Sequence, residues 1–140
     1  MQSPARNAAP PALSDWASLL GRIGIATLFL WAGYEKLAQM SGNIGYMRAG
    51  AIPAPELLIW PALLVELVGG ALILAGWKSR WAALALALFT MVTTFVFHAY
   101  WGMPANQALD QQVHFMKNLA IFGGLLYVFA FGSGRIAVDR

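Results

Sequence analysis

The stretch QQVHFMKNLAIFGGLLYVFAFG, residues 111–132, decides how this chain folds. From Val113 to Phe131 it is almost wholly apolar. That is long enough to cross a hydrocarbon core of about 30 Å, which takes roughly 20 residues of helix. Its first turns nevertheless carry His114, Lys117 and Asn118. Spacing of i, i+3 and i+4 puts these three on one helical face. Polar side chains in a span are costly in lipid and usually face a bundle interior or a wet cavity. The stretch therefore predicts a membrane helix and a polar site in one element.

Working outward, three more segments have the same character: Trp16–Ala38, Pro55–Ala75 and Trp81–Trp101. Charged residues make up only 11% of the 140 and hydrophobic residues 59%. A soluble domain carries about 25% charged residues, so the natural solvent of this chain is lipid. In lipid only helices and closed barrels satisfy their own backbone polar groups. The runs are too long and continuous for alternating barrel strands. The expected fold is an all-α, integral-membrane four-helix bundle spanning residues 15–135.

The connections fit that count. GWKSR (76–80) is short enough to make a tight antiparallel turn. Residues 39–54 and 102–112 are rich in Gly, Pro and polar residues and are expected as extramembrane loops, with Asp110 as N-cap of the last helix. The Pro/Ala-rich segment 1–14 is expected to be disordered, and residues 136–140 to form a short tail. The first span is too long for a signal-peptide core and is expected to be retained. Arg6, Arg22, Lys78, Arg80, Arg135 and Arg140 fall on one side, against Lys36, Arg48 and Lys117 on the other. The positive-inside rule then puts both termini in the cytoplasm. The net charge of +3 reflects topology, and nucleic acid is not an expected partner. Cysteine is absent, which removes disulfides, thiolate metal sites and any dithiol relay.

Every span sends polar groups toward the same end. Glu35 and Lys36 come from the first and Glu66, deeper, from the second. Thr90, Thr94 and His98 come from the third, and His114, Lys117 and Asn118 from the fourth. One shared ligand pocket open to the outside is the expected arrangement, lined by Glu35, Lys36, Glu66, His98, His114, Lys117 and Asn118. Trp31, Phe97, Trp101 and Phe115 are its expected apolar walls. Each residue also has a plainer reading. Lys36 and Lys117 could snorkel along their stems, and Glu35 could be a rim residue. The histidines could bond at the interface without a ligand, and the threonines could satisfy their own helix backbone. Glu66 is hardest to dismiss, since an unpaired carboxylate at that depth is expensive. Lys36, Lys117 and Asn118 are its expected partners. Two histidines with Glu35 would make an N/O metal set, but the spacing matches no metal motif, and none is assigned. Gly21, Gly24, Gly69, Gly70, Gly123 and Gly124 are expected at close helix contacts.

Taken in order, Arg22, GYEK (33–36), GAIPAPE, ELVGGALILAG (66–76), His98, FMKNLAIFGG (115–124) and the terminal GSGRIAVD resemble the DoxX family. The resemblance runs over nearly the whole helical region. It implies a small bacterial inner-membrane protein. Some relatives are subunits of a thiosulfate–quinone oxidoreductase and others are linked to oxidative-stress defence. With no cysteine, any redox chemistry is confined to a bound quinone or a partner subunit, and a homo-oligomer is also compatible. Two classes stay open. In one, the pocket binds a small amphiphile such as a quinone. In the other, the protein is a non-enzymatic anchor or assembly subunit whose polar groups hold its helices together.

Overall fold

The computed structural model describes residues 10–139. Among them the helices run, in chain order, α1 (Leu13–Ala38), α2 (Met40–Ala49), α3 (Pro55–Ala75), α4 (Ser79–Phe97) and α5 (Ala105–Phe131). Within the described residues α1, α3, α4 and α5 are long and apolar enough to cross a membrane. The chain is an all-α membrane four-helix bundle with one short extra helix. Its α1 and α3 form one packed pair, α4 and α5 another, and α3 against α4 joins them. The seam between α1 and α5 is thin by comparison.

Local chemistry sets the ends. Asp15, in the first turn of α1, accepts the Ala12 N–H at 2.9 Å, so the helix begins at Leu13 rather than Trp16. The expected disorder of the N-terminal segment falls mostly on residues 1–9, outside the described residues. In α3, Pro55 occupies the first turn, where its missing N–H costs nothing. Pro61 sits inside that helix, where it cannot donate to the turn before it. Besides the early starts of α1 and of α4, at Ser79 rather than Trp81, three larger differences from expectation stand out. The segment 39–54 is not all loop, since α2 fills most of it. Helix α4 stops at Phe97, short of Trp101. Helix α5 starts at Ala105, well before Val113, with Pro104 in extended backbone at the cap position and Asp110 inside the helix. The reason is common to all three: hydropathy marks where lipid lies, whereas helices end where backbone bonds run out. At 1.5 Å per residue the 27 residues of α5 reach about 40 Å, so its polar first turns project beyond the core.

The tightest packing lies away from α2, where Ala26, Phe29, Ile73, Ala83, Leu86 and Leu125 are buried together. A Cβ on Gly69 would come 2.8 Å from Leu86 Cγ, so α3 and α4 approach through that glycine. Gly70 lies against Leu30 somewhat less tightly, a Cβ there coming 3.1 Å from Leu30 Cγ. Gly21, Gly24 and Gly123 face open space instead, and only Gly124 touches a neighbour, Ile25, at 3.5 Å. Expected packing through those first three is therefore not made among the described residues.

At the end opposite α2 the chain closes on itself. Arg22 is 1% exposed. It donates to the carbonyls of Ile73 (3.1 Å) and Leu74 (3.0 Å) and to that of Ile136. The Leu72 carbonyl takes the N–H groups of Gly76 and Trp77, and the Ala75 carbonyl that of Val138. The last four carbonyls of a helix have no partner within it; here all four are satisfied. The C-terminal segment is thus a clasp rather than a free tail. Asp15 accepts the Arg135 N–H at 3.1 Å, and Ser18 donates to the Ser133 carbonyl at 2.9 Å. Gly76 stands at φ +68° in its path, and any Cβ there would strike Ala137 and Arg22. Arg22 also ceases to count as a loop charge.

Candidate functional site

At the α2 end the four spans diverge around a cavity of about 560 Å³. Its floor and walls are set by helical periodicity. Phe29, Ala32 and Lys36 come from α1, and Leu58, Ala62, Val65 and Glu66 from α3. Phe89, Thr90, Thr93 and Phe97 come from α4, and Asn118 and Ile121 from α5. Helix α2 lies over it, contributing Asn43, Tyr46 and Met47, an i, i+3, i+4 set on one face. The Tyr46 ring stacks on Phe97 with centroids 5.1 Å apart. Arg48 forms an ion pair with Glu56 across the turn that follows α2.

The charged centre is a pair. Glu66 is 5% exposed, and the Lys36 ammonium donates to its Oε1 at 3.0 Å and lies 2.8 Å from Oε2. Lys36 reaches inward from the last turn of α1 along its methylene stem, so a residue near the interface neutralises a carboxylate near mid-bundle. The pair links α1 to α3 and leaves the cavity without net charge from these two groups.

The sequence-expected residues separate into two sets. Lys36, Glu66, His98 and Asn118 all line the cavity. Glu35, His114 and Lys117 are exposed and outside its lining. Helix α5 is rotated so that Asn118 faces inward while Lys117, 100° away round the helix, does not. His114 stacks on His98 at 5.1 Å and sits 3.8 Å from Asp110, and His98 Nδ1 is 2.8 Å from Gln111 Oε1. These contacts form a polar rim. Among the described residues no three His, Asp or Glu side chains gather as metal ligands would. Of the expected walls, Phe97 lines the cavity; Trp31 and Trp101 are exposed. Phe115 packs edge-on with Phe95, Tyr100 and Trp101 instead. Sequence reading missed α2 altogether. Its signal was the spacing of Asn43, Tyr46 and Met47, hidden by Gly42 and Gly45, which mark a loop by composition.

A family model for DoxX matches residues 17–99, from the second turn of α1 through α4. The chain belongs to the DoxX family. Among its relatives, inner membrane protein YqjF of Escherichia coli is 37% identical over 128 residues, covering 91% of this chain and 93% of YqjF. Inner membrane protein YphA of the same organism is 30% identical over 122 residues, 87% of each. A Surfeit locus protein 4 homolog of Schizosaccharomyces pombe is 29% identical over 86 residues, 58% of this chain but 28% of that protein. No solved structure matches. With four apolar spans and relatives of this kind, the DoxX chain is a multi-pass inner-membrane protein whose helices contact the lipid bilayer. In DoxX terms, α2, the Lys36–Glu66 pair, Arg22 and most of the cavity lining lie inside the matched region, while Asn118, Ile121 and the C-terminal part of the clasp lie beyond it.

Proposed function

We propose that this DoxX protein binds a small amphiphile, such as a quinone, in the cavity beneath α2 and serves a membrane redox or oxidative-stress system. The observation that carries the reading is the cavity itself. Sites for small molecules are commonly 300–1,000 Å³, mostly apolar, with a few placed polar groups. This one has about 560 Å³, walls of Phe29, Val65, Phe89 and Phe97, and polar contacts from Lys36, Glu66, His98 and Asn118. A structural cluster has no need of that space. The cavity faces the outside and both termini face the cytoplasm: Lys78, Arg80 and Arg135, with Arg6 and Arg140, outnumber Lys36, Arg48 and Lys117 even with Arg22 buried. A redox partner, a soluble or membrane subunit, would exchange electrons with the quinone bound in this cysteine-free chain.

One observation favours the anchor reading: the Lys36–Glu66 pair joins two helices and would do so without a ligand. The test is small-molecule analysis of gently purified protein, with binding of decylubiquinone to wild type and to Ala62→Phe, which fills the cavity from α3. A retained ring compound, and quinone binding weakened at least about tenfold by Ala62→Phe, supports the pocket. No retained molecule and no difference between the two proteins would leave the anchor reading in its place.

A further inference from the structure

The threonines of α4 behave differently from one another. Thr93 donates to the carbonyls of Phe89 and Thr90 at 3.0 Å each, and Thr94 to that of Thr90 at 2.6 Å. This is the usual way a helix absorbs a threonine hydroxyl. Thr90 does not follow it. It is 4% exposed, lines the cavity, and its Oγ1 has no hydrogen-bond partner among the described residues. A buried hydroxyl without a partner costs roughly 1–3 kcal/mol, so such a group is found where something else supplies the bond.

Its neighbours can be placed by register. Gly69 lies against Leu86. Because α3 and α4 are antiparallel, one turn toward α2 from that contact brings Glu66 level with Thr90. Glu66 Oε2 lies 2.8 Å from the Lys36 ammonium and, as a carboxylate oxygen with two lone pairs, can accept a second bond. Asn118, from α5, lines the same cavity. The inner end of the cavity therefore offers a hydroxyl and a carboxylate oxygen with unused hydrogen-bonding capacity, beside an ion pair that is already neutral.

We propose that this inner end selects an uncharged head group bearing a hydroxyl, as in a phenol or a quinol. This inference rests on the cavity being a binding site and deepens that reading. A ligand hydroxyl donates to Glu66 Oε2, a charge-assisted bond of the stronger kind, and bonds Thr90 Oγ1. A hydrocarbon head leaves both unmet, and an ether head, which can accept from Thr90 but has no proton to donate, leaves Glu66 Oε2 unmet. A carboxylate head adds an uncompensated negative charge beside Glu66 in a medium of low dielectric, which is worse. Apolar walls of Phe29, Val65 and Phe89 take the ring.

The test uses the full chain in lipid nanodiscs with three matched probes: para-hexylphenol, para-hexylanisole and para-hexylbenzoate. The phenol is expected to bind wild type about tenfold more tightly than the anisole, the value of one or two hydrogen bonds, and the benzoate to bind more weakly than the phenol. Thr90→Val, which keeps the shape, is expected to weaken phenol binding about threefold or more, because the bond to Thr90 is lost while the stronger one to Glu66 remains. Equal binding of phenol and anisole by wild type overturns the head-group inference and leaves the cavity reading standing. Binding of neither overturns both. If Thr90→Val fails to fold, the phenol-to-anisole ratio of wild type still decides.

Discussion

At the scale of single residues, two buried charges do different work. Glu66 and Lys36 compensate each other across α1 and α3. Removing one partner of a buried pair costs about 3–5 kcal/mol, less where the other can reach water. Lys36 is 21% exposed at its side chain, so Glu66→Leu is expected to cost about 1–3 kcal/mol and Glu66→Gln clearly less. Adding Lys36→Met to Glu66→Leu should recover much of the loss. Thermal unfolding in one detergent checks the order; equal cost for Leu and Gln would mean the pair contributes nothing. Arg22 instead holds backbone. Arg22→Ala strips hydrogen bonds from Ile73, Leu74 and Ile136 at once, and about 2–4 kcal/mol of destabilisation is expected. Arg22→Lys should recover only part of this, because a point ammonium cannot replace a planar fork. Lys117→Met is the contrasting case. Lys117 is exposed and off the cavity, and the substitution is expected to change stability by no more than about 0.5 kcal/mol.

At the scale of elements, α2 stands apart from the four spans. None of its residues is buried. Its far connection bends through Ala51 and Ala54, both at positive φ (57° and 45°), a conformation that alanine adopts at a cost. Few buried contacts and a strained connection are the marks of an element that opens locally, below the energy of global unfolding. Tyr46→Ala removes the stack on Phe97, worth about 0.5–1.5 kcal/mol. Amide exchange over residues 40–49 is expected to speed up roughly three- to tenfold, with the melting temperature of the bundle unchanged. Exchange as slow as in α3 would show α2 to be part of the rigid body. Hydropathy had little purchase on this helix, because α2 lies beside the membrane rather than through it. Helix α3, by contrast, could be read to the residue: an αL Ala54 and Pro55 open it and an αL Gly76 closes it.

At the scale of the whole molecule, topology makes the sharpest prediction. Reporter fusions at residues 45 and 139 are expected to fall on opposite sides of the membrane, as the odd number of spans between α2 and the C-terminus (α3, α4 and α5) requires. The same side for both would break the four-span count. That count was legible in the sequence alone, because twenty apolar residues in lipid have few alternatives to a helix. So was the depth of Glu66 and the need for a partner, since a lone carboxylate there is too costly to leave unmet. What the sequence could not decide is rotation. Whether Asn118 or Lys117 faces inward depends on how α5 packs against α4, and both fit the same helical pattern. Which glycines touch anything depends likewise on neighbours: Gly69 closes on Leu86, while Gly123 meets open space. The clasp that carries residues 133–139 back to Arg22 joins positions more than a hundred residues apart. Local periodicity cannot see such a contact; it arises only once the ends of α1, α3 and α5 are brought together.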